Sequence, residues 1–279
     1  MALIYKMRAI AVSDSSYIFW TDSEPDLTGA NAPEAVVTDT IVVDSVGGTA
    51  EGGGASAQMH DLTHSPVVLY NFESGSELVD SSGNGLDLDT EVGTPRYADL
   101  ISGISMVDLD GSNLRRSSSN DSELNITGAV TVELFAINRN STGGIAISYQ
   151  GGDTQFWDAR VAATEKYGTG YRKSGGSFVE VASDVTWARG PELQHFAVTR
   201  ASDGKTYKFY VNGVLKDTEV AANTPQSGTD SAVNIGANRL NAARFNGFVG
   251  SIKVVASELS ADDIKAEYNR TLGPLLGTI

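Results

Sequence analysis

The chain has 279 residues, which is enough for one large β domain and a smaller segment. Its formal net charge of −15 argues against nucleic acid or an anionic membrane as a partner, because binding phosphates requires a basic face. The sequence contains no cysteine, which excludes disulfides, thiol chemistry and cysteine-based zinc sites.

Residues 1–65 form the first predicted segment. Strand-like patterns occupy residues 1–20 and 35–46, and a glycine-rich stretch over 47–56 leads to a domain boundary at Pro66. A segment this small, with few bulky residues, does not form a core of its own readily. We therefore expect a β-rich anchoring segment whose strands pack on the rest of the chain, on a neighbouring subunit or on a larger assembly.

Neither a signal peptide nor a membrane span is predicted. The apolar run at the start of the chain is short and no small-residue cleavage pattern follows it. No stretch is long and apolar enough to cross a bilayer. We expect a protein that is made in the cytoplasm of a host cell.

Residues 66–279 form the second predicted domain, and its clearest element is a hairpin at 207–217. Aromatic and β-branched residues run up to Asn212 and Gly213, and apolar residues resume directly after them. Asn-Gly supplies the two positive-φ positions of a type I′ turn.

A short helix is predicted to close this domain. Ser260 fits the N-cap and Asp263 the third helical position, while Leu259 and Ile264 fit a hydrophobic staple. The helix is expected over about Ala261–Tyr268.

Eight motifs in a fixed order narrow the fold. They lie at Leu69–Glu73, Asp80–Gly85, Val107–Gly111, Leu193–Thr199, Tyr207–Asp217, Val233–Gly236, Phe245–Val249 and Leu259–Ile264. In this order and spacing, residues 66–270 resemble the laminin-G-like, concanavalin A-like jelly-roll module, which is also found on phage virion surface proteins. The resemblance implies an all-β fold with two antiparallel sheets in a jelly-roll sandwich.

Enzymes of the glucanase type share this fold, but their pattern is missing here. They place two or three carboxylates along one strand, because retaining glycoside hydrolysis needs two carboxyls about 5 Å apart. Glu133 and Glu180 each stand alone on their strands, and His195 matches a routine strand position of the family. We predict that the chain is not an enzyme.

The sequence contains two candidate binding sites. Asp80, Asn84 and Asp87 share a glycine-rich loop that could hold Ca²⁺, although such residues are also what tight turns are made of. In the family, an acidic residue commonly supports this region. This sequence has Gly250 at that position. His60 and His64 lie four apart, but no third metal ligand is visible, so no metal is predicted there.

A sugar site would need exposed aromatic rings beside planar polar groups. The candidates are Tyr149, Trp157, Tyr167 and Tyr171, in the loop-rich middle of the domain. Core packing is the alternative role for these rings.

Three functions are weighed. The first is a structural virion protein, a phage capsid-decoration, head-fibre or tail component. Residues 1–65 would dock it to other virion subunits, as one of several copies on the particle, and the jelly roll would serve host-surface or glycan adhesion. The second is a carbohydrate-binding or adhesion module on an extracellular bacterial surface. The third, which the missing carboxylates disfavour, is a glucanase-type glycoside hydrolase.

Overall fold

A computed structural model describes residues 5–10, 16–21, 60, 62–101, 104–117, 121–139, 143–151, 155–187, 189–226 and 231–271. The chain divides into two compact units, Met1–Gly53 and Gly54–Ile279. Within the described residues, no helix has the length and apolar character that crossing a membrane requires.

The first unit contains an antiparallel hairpin. Strands β1 (Tyr5–Ile10) and β2 (Ser16–Thr21) pair with Tyr5 opposite Thr21 and Ile10 opposite Ser16. This confirms the strands predicted in residues 1–20. The strand predicted over 35–46 and the glycine-rich stretch lie outside the described residues.

The second unit is built from strands that alternate with short turns. Their bounds are β3 Val68–Tyr70, β4 Thr90–Val92, β5 Arg96–Ile101, β6 Ile104–Asp108, β7 Asn113–Arg116, β8 Val130–Asn138, β9 Gly144–Gly151, β10 Gln155–Val161, β11 Lys166–Arg172, β12 Phe178–Thr186, β13 Gln194–Arg200, β14 Thr206–Val211, β15 Val214–Val220, β16 Ser231–Ile235 and β17 Gly247–Val255. A 3-10 turn at Ser122–Leu124 precedes β8, and helix α1 (Ala261–Thr271) follows β17.

These strands form two antiparallel sheets. One has the order β12-β11-β10-β9-β16-β7-β4, and we call it the seven-stranded sheet. The other has the order β15-β14-β13-β8-β17-β6-β5, with β3 paired to β17, and we call it the eight-stranded sheet. One continuous hydrophobic core draws on both sheets. The result is a β sandwich, which confirms the predicted all-β jelly-roll fold.

The predicted hairpin is the turn between β14 and β15. Asn212 and Gly213 both have positive φ, 50° and 74°, as a type I′ turn requires. The Asn212 side-chain oxygen also accepts a hydrogen bond from the backbone N–H of His195 at 3.0 Å. The turn residue therefore ties this hairpin to the neighbouring strand β13.

Helix α1 packs on the outer face of the eight-stranded sheet. Leu259 and Ile264 are buried in one cluster with Ala197, Tyr210 and Val255. The Asp263 N–H donates to Ser260 Oγ at 3.2 Å, and the Ser260 N–H donates to Asp263 Oδ2 at 3.0 Å.

These contacts confirm the predicted cap and staple. The helix runs further than predicted, to Thr271 rather than Tyr268.

The second compact unit extends over Gly54–Ile279, whereas the predicted domain begins at Pro66. His60 is fully buried, and its Nδ1 lies 3.0 Å from the hydroxyl of Ser251 on β17. Residues just before Pro66 therefore belong to the sandwich. The anchoring role of the N-terminal segment stays a prediction.

Candidate functional site

A row of polar side chains crosses the outer face of the seven-stranded sheet. Arg115 on β7 lies opposite Asn234 on β16, Asn234 opposite Ser148 on β9, and Ser148 opposite Asp158 on β10. The chain neighbours of these residues point into the core. Because side chains alternate across a strand, the row itself points away from the core.

The row continues onto β10 and β12. Arg160 lies between Asp158 and Glu180, with its Nε 2.8 Å from Asp158 Oδ2 and its Nη1 3.6 Å from Glu180 Oε2. Its guanidinium lies 4.5 Å from the ring centroid of Phe178, within cation–π range. We call Arg115, Asn234, Ser148, Asp158, Arg160, Glu180 and Phe178 the polar face.

A glycine on β11 makes room for this arrangement. A Cβ atom on Gly170 would lie 2.5 Å from the Phe178 ring and 3.0 Å from Arg160 Nη2. Both side chains therefore lie across a strand that has no side chain at this position. The Phe178 ring stays 41% exposed, so it is open to a ligand.

Several buried atoms on this side of the sheet lack hydrogen-bond partners within the described structure. They are Ser148 Oγ, Asn234 Oδ1, Arg115 Nε and, on the same strand face as Ser148, Gln150 Oε1. Buried polar atoms in folded proteins are normally bonded to protein, ordered water or a ligand. These atoms are themselves buried, so the part of the polar face that is open to a ligand is Phe178 with its neighbours Arg160 and Glu180.

The guanidinium of Arg160 stabilises the negative charge of Asp158. Burial raises the pKa of Asp158, and the guanidinium of Arg160 acts in the opposite direction. The carboxylate is fully buried, so it reaches a ligand only through Arg160.

The four aromatic residues predicted for a sugar site are core residues. Tyr149, Trp157, Tyr167 and Tyr171 are all at most 2% exposed. Their polar atoms are used internally: for example, Tyr149 donates to the Asp121 carbonyl at 3.0 Å and Trp157 to the Leu124 carbonyl at 3.1 Å. None of the four offers a ring face to a sugar in this structure, which corrects their proposed placement.

Sequence reasoning missed Phe178. The available signal was the alternation in β12, where Val179 and Val181 pack on the core while Phe178 and Glu180 share the opposite face. Phe178 and Glu180 thus belong to one surface with Arg160.

The loop predicted for Ca²⁺ is organised around Asp80. Its carboxylate accepts hydrogen bonds from the backbone N–H groups of Leu69, Ser82 and Leu86, each at 3.0 Å, and from the Ser82 hydroxyl at 2.7 Å. These four bonds close the loop onto β3. They give Asp80 a structural role, and calcium binding here stays a prediction.

The other two residues of that prediction lie in the same loop. Asp87 Oδ1 accepts from the Asp80 N–H at 2.8 Å. Asn84 Nδ2 donates to the carbonyls of Pro66 and Val67 at 3.2 and 3.0 Å. The structure therefore brings Asp80, Asn84 and Asp87 together, as a network of internal hydrogen bonds.

A second polar cluster lies on the outer face of the eight-stranded sheet. It consists of His60, Glu133 and His195, and we call it the buried triad. All three are 0% exposed, and each offers one nitrogen or oxygen atom within 4.8 Å of the other two. Burial lowers the pKa of His60 well below its usual value, with a smaller contribution from His195.

Comparison with known proteins agrees with this fold. A family profile described as the concanavalin A-like lectin/glucanases superfamily matches residues 111–265, more than half of the chain. No curated protein sequence matches it.

Two solved structures illustrate the likeness. Domain 4 of AbnA, a GH43 extracellular arabinanase from Geobacillus stearothermophilus, solved in complex with arabinotriose, is 19% identical with a TM-score of 0.57. That alignment covers 73% of this chain and 98% of the domain. The binding domain of botulinum neurotoxin DC, solved in complex with SialylT, is 12% identical with a TM-score of 0.56.

The toxin alignment covers 75% of this chain and 52% of the other, so the chain spans about half the length of that toxin domain. Likeness at these identities concerns the fold, and the family itself rests on the profile match. The resemblance seen in the ordered motifs is thereby confirmed: the chain belongs to the concanavalin A-like lectin/glucanases superfamily.

Proposed function

We propose that the jelly roll is a carbohydrate-binding domain that holds its ligand on the polar face. The observation that carries this proposal is the exposed ring of Phe178 beside Arg160 and Glu180, at the end of a row of polar groups with unpartnered atoms. A sugar presents C–H groups that stack on a ring and hydroxyls that need donors and acceptors. The solved complexes of similar domains with arabinotriose and with SialylT support this choice of ligand class.

Room for a ligand exists where β12 begins. A shallow depression of about 420 Å³ is lined by Gly175, Gly176, Ser177 and Gln226. Three of these residues directly precede Phe178 in the chain. The depression therefore lies at the start of the strand that carries Phe178.

The arrangement favours binding over hydrolysis. A retaining glycosidase needs two carboxyls that act as nucleophile and acid, about 5 Å apart. The two carboxylates of the polar face, Asp158 and Glu180, both contact Arg160. Asp158 is also fully buried, so it cannot attack a glycosidic bond directly.

The setting proposed for this binding domain is a virion surface. The proposal rests on the sequence: the resemblance of residues 66–270 to a module found on phage virion surface proteins, the absence of cysteine, and a short N-terminal segment expected to dock on other virion subunits. Limited proteolysis of the full chain tests the docking segment. Docking predicts early cleavage within residues 1–65 of the free protein, whereas a protease-resistant, monomeric N-terminal fragment would contradict it.

A glycan array probed with the full chain tests the proposed activity. We expect binding to a defined set of oligosaccharides, and the bound sugars should remain uncleaved after incubation. An array without specific binding would contradict the carbohydrate-binding function, and released product would contradict the non-enzymatic assignment. The same array run with chelator and again with Ca²⁺ restored tests Ca²⁺, since a loss of binding that Ca²⁺ alone reverses would point to the loop that contains Asp80.

A further inference from the structure

The buried triad brings together residues that are distant in the chain. Glu133 lies on β8 and His195 on β13, and these strands are direct neighbours in the eight-stranded sheet. His60 reaches them from the segment before β3. Both imidazole rings pack against Phe135, with centroid distances of 4.7 and 4.9 Å.

The hydrogen bond at His60 Nδ1 determines which of the two ring nitrogens carries the proton. The Ser251 hydroxyl donates to Asn71 Oδ1 at 2.6 Å, so its oxygen accepts from His60 Nδ1 at 3.0 Å. With Asn71 oriented in this way, a neutral His60 carries its proton on Nδ1 and a lone pair on Nε2. That lone pair faces Glu133 Oε2 across 3.6 Å.

In this tautomer of His60, two electron-rich atoms face each other in a buried site. Three atoms of the triad, His60 Nε2, Glu133 Oε1 and His195 Nδ1, also lack a hydrogen-bond partner in the described structure. Unpaired buried polar atoms are costly, on the order of 1–3 kcal/mol each. A cation bound by His60 Nε2, Glu133 Oε2 and His195 Nε2 would remove the repulsion between His60 Nε2 and Glu133 Oε2, while His195 Nδ1 would stay outside the coordination.

The spacing matches a tetrahedral metal. Zinc bonds to histidine nitrogen and carboxylate oxygen of about 2.0–2.1 Å place neighbouring ligand atoms roughly 3.3–3.4 Å apart. In the triad, Glu133 Oε2 lies 3.3 Å from His195 Nε2 and 3.6 Å from His60 Nε2. The ligand atoms of the two imidazoles lie within 4.8 Å of each other, so a bound tetrahedral ion requires the side chains to adjust along this third edge.

Two cations lie near the triad. Lys253 lies opposite Glu133 in the sheet register and donates to Glu267 Oε1 at 2.8 Å, and Glu267 also pairs with Arg270. Glu267 offsets one of these two positive charges. Glu133 therefore faces both the remaining positive charge and a metal in the triad.

We propose that His60, Glu133 and His195 bind a divalent transition metal, with zinc as the best fit. Two imidazoles and one carboxylate suit zinc, whereas Ca²⁺ requires six to eight oxygen ligands. A tetrahedral ion takes four ligands, of which the triad supplies three. Bound metal joins the segment before β3 to strands β8 and β13, so it acts as a structural clamp on the outer face of the sheet.

The hydrogen bond of His60 Nδ1 is of the kind that metal-ligating histidines make. A metal-ligating histidine commonly donates its other ring N–H to a neighbouring group, which fixes the ring orientation. Ser251 and Asn71 supply that contact here.

Zinc titration of the full, tag-free chain after chelator treatment tests the proposal. Calorimetry should give one zinc per chain, and substituted Co²⁺ should show the visible bands of a tetrahedral site. His60→Gln and His195→Gln should weaken zinc binding by roughly 100-fold or more. His64→Gln is the matched control, because His64 is partly exposed and lies 3.8 Å from Asp263 rather than in the triad.

Two further readouts keep the test decisive if a histidine variant fails to fold. Glu133→Gln preserves the shape of the side chain and should also lose zinc. The unsubstituted chain should unfold at a higher temperature with zinc than with chelator, since a ligand of the native state stabilises it. No zinc uptake by the unsubstituted chain, or uptake that is unchanged in His60→Gln and Glu133→Gln, would overturn the proposal.

Discussion

Arg160 shows how a single residue connects stability to the proposed binding surface. Its guanidinium contacts the fully buried carboxylate of Asp158, the carboxylate of Glu180 and the ring of Phe178. Removing one partner of a buried ion pair leaves a charge without compensation, which costs more than the pair contributes. The position of Arg160 is therefore determined by the fold as well as by any ligand.

Substituting Arg160→Ala is expected to destabilise the protein by roughly 3–5 kcal/mol at neutral pH. Burial raises the pKa of Asp158, and without the opposing guanidinium the folded-state pKa rises further. A raised carboxyl pKa means that the folded state binds the proton more tightly than the unfolded chain. The loss of stability should therefore be small in acid, grow as the pH rises from the ordinary value of 3.8 towards the raised pKa of Asp158, and level off above it.

Chemical denaturation at acidic and neutral pH measures this effect. Arg96→Ala is the control, because Arg96 is 65% exposed and its ion pair with Asp108 should contribute about 1 kcal/mol or less. If Arg160→Ala loses as little stability as Arg96→Ala, or if its loss does not depend on pH, the charge of Asp158 is not compensated by Arg160.

Asp203 provides a second test at this scale. Its carboxylate accepts hydrogen bonds from the N–H groups of Lys205 and Thr206 at 2.7 and 2.9 Å, which lowers its pKa to about 2. The folded-state pKa is depressed, so the stabilisation is complete above the ordinary value of 3.8 and is lost as the pH falls towards 2.

An NMR titration of the side-chain carboxyl measures this pKa directly. The original chain should lose stability as the pH falls from about 4 to about 2. Asp203→Ala should lose less stability over the same range. A titration midpoint near 3.8 would show that the turn does not hold the carboxylate in this way.

The elements that sequence reasoning located best are those defined by local contacts. The Asn212-Gly213 turn and the cap of α1 each depend on residues within four positions of one another, so their patterns can be read directly. The extent of α1 was harder to predict, because its last turn depends on Glu267 and Tyr268 packing against the sheet rather than on a local stop signal.

The capping box gives a prediction at the scale of the helix. Ser260→Ala removes the acceptor for the Asp263 N–H and should destabilise the protein by about 1 kcal/mol. Lys265→Ala, an exposed change on the same helix, should alter stability by less than about 0.5 kcal/mol. Thermal or urea unfolding compares the two, and equal effects would contradict a specific role for the cap.

At the scale of the whole molecule, the fold was predictable but the sites were not. The ordered motifs identify the sandwich because each motif belongs to a turn or strand that the fold requires. The orientation of Trp157 depends on an irregular register between β9 and β10, which the sequence does not display. The buried triad depends on residues such as His60 and Glu133 that meet only after the sheet has formed.

The central claim is that the polar face binds carbohydrate, and a titration with an oligosaccharide selected on the array tests it most directly. Phe178→Ala removes the exposed ring, and loss of about 1 kcal/mol of ring contact corresponds to roughly fivefold weaker binding. Leu215→Ala is the matched control, since Leu215 is 44% exposed but lies on β15 of the eight-stranded sheet.

The account predicts weaker binding for Phe178→Ala, unchanged binding for Leu215→Ala, and similar unfolding temperatures for both. Equal affinities for Phe178→Ala and the unsubstituted chain would place the sugar elsewhere and contradict the account.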